Sequence, residues 1–266
     1  MKQIRVLALV LVEDGGQAKN RLTVPFTVVH DEAELARIVE KTKPQVVITD
    51  LSSPRYLESW LDEWAVQNNV PLAVIEDYWG TVHRSPVVAN LVVTIDEAAE
   101  RLVRERCPGS QVVIAGFAGI LPVTPRASLV QAFIKLRQET GAKVIVYTDS
   151  GPDAEGALPM LVESILQTQL PIIFVPKFHP KDKMLAHPEG GTWGEWCERQ
   201  IKPLRDAGLV CDFAEPTDEV VELADATFSG YSTLLMRAAK AGKVAVTLWD
   251  ASVQKSLKKE TGLDET

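Results

Sequence analysis

The chain has 266 residues, of which 46% are hydrophobic and 24% charged, a composition typical of a folded globular protein and inconsistent with intrinsic disorder. Its formal net charge of −8 disfavours binding to nucleic acid or to an anionic membrane surface, because both are negatively charged as well. The three cysteines, Cys107, Cys197 and Cys211, form no CxxC pair, which excludes the usual zinc and disulfide patterns.

From the start of the chain we expect no targeting or anchoring signal. The apolar run Val6–Val12 is too short to span a bilayer, and no small-residue cleavage site follows it. Together with the isolated cysteines, this predicts a protein of a reducing compartment, the cytoplasm, without an integral membrane segment.

Apolar, β-branched runs alternate with helical segments through the first half of the chain. They predict strands at Ile4–Val12, Pro25–Val29, Gln45–Asp50, Pro71–Asp77, Ala89–Ile95 and Gln111–Gly116. Asp31-Glu-Ala-Glu34 is a capping box that begins one helix. Ser53-Pro54 begins another, with Ser53 as N-cap and Pro54 at the first helical position. The second helix has one apolar stripe for packing, formed by Leu57, Trp60, Leu61 and Trp64.

Residues Phe117–Arg126 have neither a helical nor a strand period and contain Gly119, Pro122 and Pro125, so they predict a linker between domains. The alternation then resumes. Strands are predicted at Lys143–Asp149, Pro171–Lys177, Leu209–Phe213, Ala226–Ser229 and Lys243–Trp249. Helices are predicted at Ala127–Thr140, Ala157–Thr168, Trp193–Ala207, Thr217–Leu223 and Ser232–Ala241.

This repeated strand–helix order predicts an α/β protein whose parallel sheets are covered on both faces. We expect two Rossmann-like parallel-sheet domains facing across a cleft, residues 1–118 and residues 127–266. Open parallel sheets bind ligands beyond the carboxyl ends of their strands. The loops that follow the predicted strands are therefore where binding residues are expected.

The sharpest motif joins a predicted strand to a predicted helix. The strand ends at Ser229, the chain turns at Gly230, and the helix begins near Ser232. The first turn of a helix presents unpaired backbone N–H groups and partial positive charge, and the hydroxyls of Ser229, Ser232 and Thr233 add donors. The motif predicts a site for a phosphate or pyrophosphate. The simpler interpretation is a serine N-cap that follows a turn.

A second segment, Lys177-Phe-His-Pro180, ends another predicted strand of the same half. Lys177 supplies a positive charge, His179 supplies a donor, and Pro180 restricts the turn. We expect both side chains to lie near the Gly230 turn. Most single histidines at strand ends, however, are simply hydrogen-bonded loop residues.

These motifs resemble the donor half of glycosyltransferases of the B-type fold. The matching stretches are Lys-x-His-Pro, Ala224–Leu235 and the Ala-Ala-x-Ala-Gly-Lys that ends at Lys243. The resemblance extends to bacterial sialyltransferase-like and CDP-glycerol transferase-like enzymes and to non-hydrolysing UDP-N-acetylglucosamine 2-epimerases. It covers Val130–Leu248 through motifs and the first half through fold alone.

The resemblance implies which residues bind the nucleotide. His179, Ser232 and Thr233 would contact its phosphates, and Glu215 would lie near its base. The same site would include Lys177, Pro180, Ser229, Gly230 and Tyr231. Many of these families have a glutamate in the following helix that binds the ribose, whereas this chain has Arg237 at that position. On this basis residues 127–266 form the nucleotide-donor domain and residues 1–118 the acceptor-side domain.

A transferase also needs a general base near the acceptor hydroxyl. Asp77 or Glu76, at the end of an apolar strand, would serve if partial burial raised its pKa. Asp14, within Glu13-Asp-Gly-Gly16, resembles more literally the acidic-acidic-Gly motif of the sialyltransferases. The alternative is that these are solvated acids at strand ends. The neighbouring Tyr78 and Trp79 would stack on a sugar or cover the sheet.

Absent motifs narrow the chemistry. The sequence contains no Asp-x-Asp pair, so a metal-bridged diphosphate is not predicted. No GxGxxG follows the first strand, which argues against a dinucleotide-dependent oxidoreductase. The sequence therefore predicts a metal-independent glycosyltransferase-like enzyme of polysaccharide biosynthesis, without a cofactor. Its partners would be a nucleotide-sugar substrate, bound in the interdomain cleft, and a glycan or small-molecule acceptor. The alternatives are a UDP-sugar 2-epimerase and a non-catalytic nucleotide-binding protein of a polysaccharide pathway.

Overall fold

A computed structural model describes residues 8–11, 26–51, 56–76, 78–116, 123–149, 155–230, 232–251, 253–255 and 258, with side chains at all of these except 8–11, 56 and 181. The chain divides into two compact units, Met1–Ala118 and Gly119–Thr266. Each unit contains a four-stranded parallel sheet with helices between its strands. The predicted α/β class with two Rossmann-like parallel sheets is confirmed. Within the described ranges, no helix has the length and apolarity that crossing a membrane requires.

The described residues of the N-terminal unit form six strands. The strands are β1 (Ala8–Leu11), β2 (Phe26–Val29), β3 (Val47–Asp50), β4 (Leu72–Ile75), β5 (Leu91–Thr94) and β6 (Gln111–Ile114). β1 pairs in parallel with β2, and the other four form a sheet in the order β3-β4-β5-β6. The helices are α1 (Glu32–Thr42), α2 (Tyr56–Gln67) and α3 (Glu97–Arg106), and a 3₁₀ turn spans Thr81–Arg84.

Local sequence signals account for how α1 begins. The carboxylate of Asp31 accepts a hydrogen bond from the amide of Glu34 at 2.8 Å, as the capping box predicts. The carboxylate of Glu34 reaches back one residue beyond the N-cap, to the amide of His30 at 3.0 Å. The predicted cap of the second helix, Ser53-Pro54, lies outside the described residues.

The second helix packs as its apolar stripe predicts, although most of the stripe faces α1. Leu57, Trp60, Leu61 and Trp64 contact the cluster formed by Val29, Leu35 and Val39. Helix α1 packs on α2. On the sheet face opposite the buried Val47 and Val92, within the described part of the unit, Ile48 is 61% and Val113 is 50% exposed. The expected cover on both faces is therefore incomplete there.

The C-terminal unit is covered on both faces. Its sheet has the order β10-β9-β7-β8, from β7 (Lys143–Tyr147), β8 (Ile172–Pro176), β9 (Ala226–Ser229) and β10 (Val244–Thr247). Its helices are α4 (Ala127–Thr140), α5 (Ala157–Gln167), α6 (Trp193–Asp206), α7 (Thr217–Leu223) and α8 (Thr233–Lys240). Helices α5 and α6 contribute to one core cluster, and α4, α7 and α8 to the other.

The predicted strand Leu209–Phe213 is reduced to a single parallel bridge between Val210 and Phe174. Beyond Cys211 the chain leaves the ladder. The carbonyls of Phe213 and Glu215 accept hydrogen bonds from the side chain of Lys177 instead of from a neighbouring strand. A long-range side-chain contact has therefore replaced the regular pairing that the apolar run favours.

Asp225 ties three elements together at the amino edge of this sheet. Its carboxylate accepts hydrogen bonds from the amide of Val144 at 2.9 Å, from Arg137 at 3.0 Å and from Lys143 at 3.2 Å. Burial raises the pKa of this carboxyl, but the hydrogen bonds from Val144, Arg137 and Lys143 outweigh it and hold the pKa below its ordinary value. The ionised form therefore stabilises the fold.

We expect Asp225→Asn to lower the free energy of unfolding at pH 7 by about 1 kcal/mol, a value reduced for its partial exposure. Since the folded pKa is the lower one, the carboxylate contributes fully above the unfolded pKa of about 4 and loses its contribution as the pH falls through the folded value. Urea denaturation at pH 7 and at pH 2.5 measures the difference.

The control is Asp206→Asn, which removes an exposed pair with Lys202 and should change stability little. An Asp225→Asn effect that persists unchanged at pH 2.5 would contradict the electrostatic origin.

Candidate functional site

The carboxyl edge of the C-terminal sheet collects the residues that the sequence predicted for the nucleotide. Backbone hydrogen bonds join the loops of this edge. The amide of His179, after β8, donates to the carbonyl of Asp149, after β7, at 3.1 Å, and the amide of Leu248, after β10, donates to the carbonyl of Ser229 at 2.8 Å. Parallel strands end on one side of their sheet, which explains why distant segments meet there. Tyr231, also predicted for the site, lies outside the described residues.

The Gly230 turn binds a carboxylate of the protein itself, that of Asp149. The amide of Gly230 donates to Oδ2 of Asp149 at 2.7 Å, and the hydroxyl of Tyr147 reaches the same oxygen at 3.4 Å. A Cβ on Gly230 would lie 2.8 Å from Val253, so the turn is also covered by an apolar side chain. The side chain of Asp149 therefore occupies the turn that the sequence predicted to bind an anion. Sequence reasoning gave Asp149 no role, although its position at a predicted strand end was visible.

At the start of α8, Ser232 serves as the N-cap and is also partly exposed to a ligand. Ser232 is the N-cap, and its hydroxyl accepts a hydrogen bond from the amide of Leu234 at 3.2 Å. The hydroxyl of Ser229, which is fully buried, accepts one from the amide of Ser232 at 3.3 Å. Thr233 is exposed and Ser232 half-buried. The surface of the helix start is therefore formed by Ser232 and Thr233, while Ser229 supports it from below.

Lys177 is committed to the protein backbone. Its ammonium donates to the carbonyl of Phe213 and, at 2.8 Å, to that of Glu215. Burial lowers the pKa of Lys177, and the charges of Glu215 and Asp212 partly oppose that effect. The lysine thus fastens the 213–215 segment to the end of β8. A direct contact with phosphate would require these hydrogen bonds to break.

His179 and Pro180 are exposed at the same edge. Pro180 begins a 3₁₀ turn that runs to Lys183, and the carbonyl of His179 accepts the amide of Asp182 at 2.9 Å. The turn therefore holds the His179 backbone while its side chain remains accessible. Within the described part of this edge, the exposed polar residues among the predicted set are His179 and Thr233.

Arg237, at the position where the families that the sequence resembles have a ribose-binding glutamate, is 5% exposed. It lies 3.6 Å from the carboxylate of Asp218 and 3.4 Å from that of Glu222, both on α7. The arginine therefore joins α7 to α8 inside the unit.

The residues that the sequence predicted for the acceptor side belong to the N-terminal unit. Glu76 is 4% exposed, and its carboxylate accepts hydrogen bonds from the hydroxyl of Thr94 at 2.6 Å and from the amide of Val82 at 3.3 Å. Such a carboxylate holds the 3₁₀ turn to the sheet and is enclosed by protein. The two other candidate bases, Asp77 and Asp14, lie outside the described residues.

The aromatic pair that follows these acids is held by the protein. Burial raises the pKa of Tyr78 to about 12, and the Trp79 indole donates to the Asp96 carboxylate at 2.9 Å. The arrangement is typical of side chains that close the edge of a sheet.

In the residues that the structure describes, no three His, Cys, Asp or Glu side chains are grouped so as to hold a metal ion. The cysteines are free, and burial raises the pKa of Cys197 to about 12, which keeps its thiol protonated.

The comparisons with known proteins bear on this architecture. No protein-family model and no curated protein sequence matches the chain. Among solved structures, HepE of Anabaena in complex with UDP-glucose is similar, with a TM-score of 0.59 and 13% identity over 89% of this chain and 71% of HepE. The chain has the B-type fold.

Two other structures agree with this fold. A glycosyltransferase from Rickettsia africae has a TM-score of 0.53 and 10% identity, over 89% of this chain and 77% of its own. A UDP-N-acetylglucosamine 2-epimerase from Rickettsia bellii has a TM-score of 0.50 and 12% identity, over 87% and 68%. At these identities the likeness shows the B-type fold alone, as the motifs of the second half predicted.

We expect Gly230→Ala to destabilise the C-terminal unit by about 1–3 kcal/mol, because its Cβ would overlap Val253 and approach the Asp149 carboxylate to 3.1 Å. Urea unfolding measures the loss. Adding Val253→Ala should restore part of it in a double-mutant cycle, since the two changes share one contact. Gly109→Ala, whose Cβ would meet nothing within 4 Å, is the matched control. An equal effect for the two glycines would contradict the close packing of the turn.

Proposed function

We propose that the protein is a metal-independent glycosyltransferase that binds a nucleotide-activated sugar at the carboxyl edge of its C-terminal sheet. The observation that carries the proposal is the meeting of a B-type fold with a helix start, Ser232 and Thr233, and an exposed His179 at the same carboxyl edge of the sheet. Support comes from HepE, whose structures contain UDP and UDP-glucose. The acceptor would be a glycan or a small molecule.

The chemistry of this edge suits a departing nucleotide diphosphate. The amino end of α8 carries partial positive charge, and the hydroxyls of Ser232 and Thr233 and the ring of His179 add donors. Stabilising the charge that develops on the leaving group is usually a large part of such catalysis. A helix cap holds the side chain of Ser232, and a 3₁₀ turn holds the backbone of His179.

The acceptor hydroxyl must lose a proton, and Asp77 or Asp14 is proposed as the base. Glu76 fits this role less well, because it is enclosed and holds Thr94 and Val82. A general base must come within hydrogen-bonding distance of its substrate proton.

A second candidate function is 2-epimerisation of a UDP-sugar, favoured by the likeness to the Rickettsia bellii epimerase. A non-catalytic nucleotide-binding role is favoured by the internal engagement of Asp149 and Lys177. The three candidate functions predict different outcomes when the protein is incubated with a UDP-sugar.

We expect UDP at about 100 times its Kd to stabilise the wild-type protein by about 2.7 kcal/mol, measured by thermal shift. Ser232→Ala should lose a helix cap, about 1 kcal/mol, and most of the UDP-dependent stabilisation. His179→Ala should lose the UDP response with little effect on stability.

Thr192→Ala is the matched control, because Thr192 caps α6 through the amide of Glu195 at 3.2 Å. It should lose the same stability and keep the full UDP response. If Ser232→Ala and His179→Ala respond to UDP like the wild type, the phosphate assignment is wrong.

We expect Asp77→Asn to lower the turnover of a UDP-sugar donor by about 10²–10⁴-fold, the usual contribution of a general base. Glu76→Gln should chiefly lower stability, because it weakens a buried hydrogen-bonded pair. Donor turnover, normalised to the folded fraction, separates the two.

Interconversion of UDP-sugars without an acceptor would favour the epimerase. Binding with neither reaction would favour the non-catalytic role. Full activity of Asp77→Asn would exclude Asp77 as the base.

A further inference from the structure

Trp249 is an exposed aromatic side chain next to the candidate site. Of the six tryptophans, all within the described ranges, Trp249 alone is exposed, at 48%, whereas Trp193 and Trp196 are 7% and 8% exposed. A large amphipathic ring at a ligand-binding edge offers apolar contact area at low entropic cost.

The register of the sheet places Trp249 beside the helix start. Thr247 pairs with Ser229, and the ladder continues through the amide of Leu248. Val246 and Leu248 join the core that contains α5 and α6. Successive residues of a strand face opposite sides, so Thr247 falls on the face that carries Ser229 and α8, and Trp249 follows it two residues later, beyond the end of β10.

The chain after Trp249 is anchored to the Gly230 turn. The carboxylate of Asp250 accepts the amide of Val253 at 2.9 Å, and the fully buried Val253 covers Gly230. The backbone is hydrogen-bonded on both sides of Trp249, at the amide of Leu248 and at the carbonyl of Asp250, which accepts the amide of Gln254 at 3.0 Å.

The order of segments along the edge indicates which part of a ligand reaches Trp249. Adjacent strands lie about 4.8 Å apart. The segment that contains Glu215 follows the bridge between Val210 and β8, and β7 lies between β8 and β9. Trp249 follows β10, which lies on the opposite side of β9. The proposed function puts the phosphates at α8, and the resemblance implies a nucleoside near Glu215, so the group on the far phosphate would extend towards Trp249.

We propose that the indole of Trp249 forms the stacking wall for the glycosyl ring of the bound nucleotide sugar. The inference rests on the proposed function and adds to it a residue that selects the sugar ester over the free nucleotide. A pyranose ring presents a C–H face to such a wall, so its recognition is apolar and does not depend on charge.

Calorimetric titration with UDP and with UDP-glucose tests the proposal. Trp249→Ala should weaken binding of UDP-glucose about tenfold and that of UDP less than about twofold. Trp249→Phe should keep most of the preference, because it retains a flat ring. Leu170→Ala, which truncates a residue 69% exposed at the start of β8, should change neither.

Tryptophan fluorescence gives an independent readout. UDP-glucose should shield the accessible indole from iodide quenching, and Trp249→Phe should abolish this ligand-dependent change. An equal loss of UDP and UDP-glucose binding in Trp249→Ala would place the ring on the nucleoside and overturn the proposal, as would unchanged binding of both. If the wild type does not bind UDP, the proposed function fails and this inference fails with it.

Discussion

Where parallel strands end, backbone amides and carbonyls lose their ladder partners, and a folded protein must supply others. In the C-terminal unit that demand is met by charged and hydroxyl side chains. The carboxylate of Asp149 accepts a hydrogen bond from the amide of Gly230, and the hydroxyl of Ser232 accepts one from the amide of Leu234. The ammonium of Lys177 donates to the carbonyls of Phe213 and Glu215. At the Gly230 turn the group supplied is itself an anion, the carboxylate of Asp149. The edge is stable without a ligand because the protein uses ligand-like groups of its own.

Much of the fold could be predicted because its causes are local. The alternation of apolar runs and helices indicates parallel sheets, and a capping box depends on residues only three positions apart, as in Asp31–Glu34. The strand predicted at Leu209–Phe213 shows where this logic ends. Its second half is held by Lys177, 36 residues before Phe213, and no local pattern reveals that contact.

For the candidate site, the sequence indicated which residue types stand at the strand ends, because that follows from the fold. It did not indicate which partner each polar group takes. Asp149 reaches Gly230 over 81 residues of sequence, and Glu76 is enclosed with Thr94 from the next strand. Arg237 is likewise drawn to α7. In the sequence alone, any polar residue at a strand end is a candidate to bind a ligand. In the fold, the nearest complementary group of the protein competes with the ligand for it.

The contact between Asp149 and Gly230 has an evolutionary consequence. A phosphate that required this amide would bind only the molecules in which the contact is open, and each 1.4 kcal/mol spent on opening lowers its apparent affinity tenfold. Substitutions that weaken the contact would therefore lower the stability of the protein and raise the affinity of the turn for such a phosphate. A change at position 149 would adjust that affinity through a side chain that need not touch the ligand.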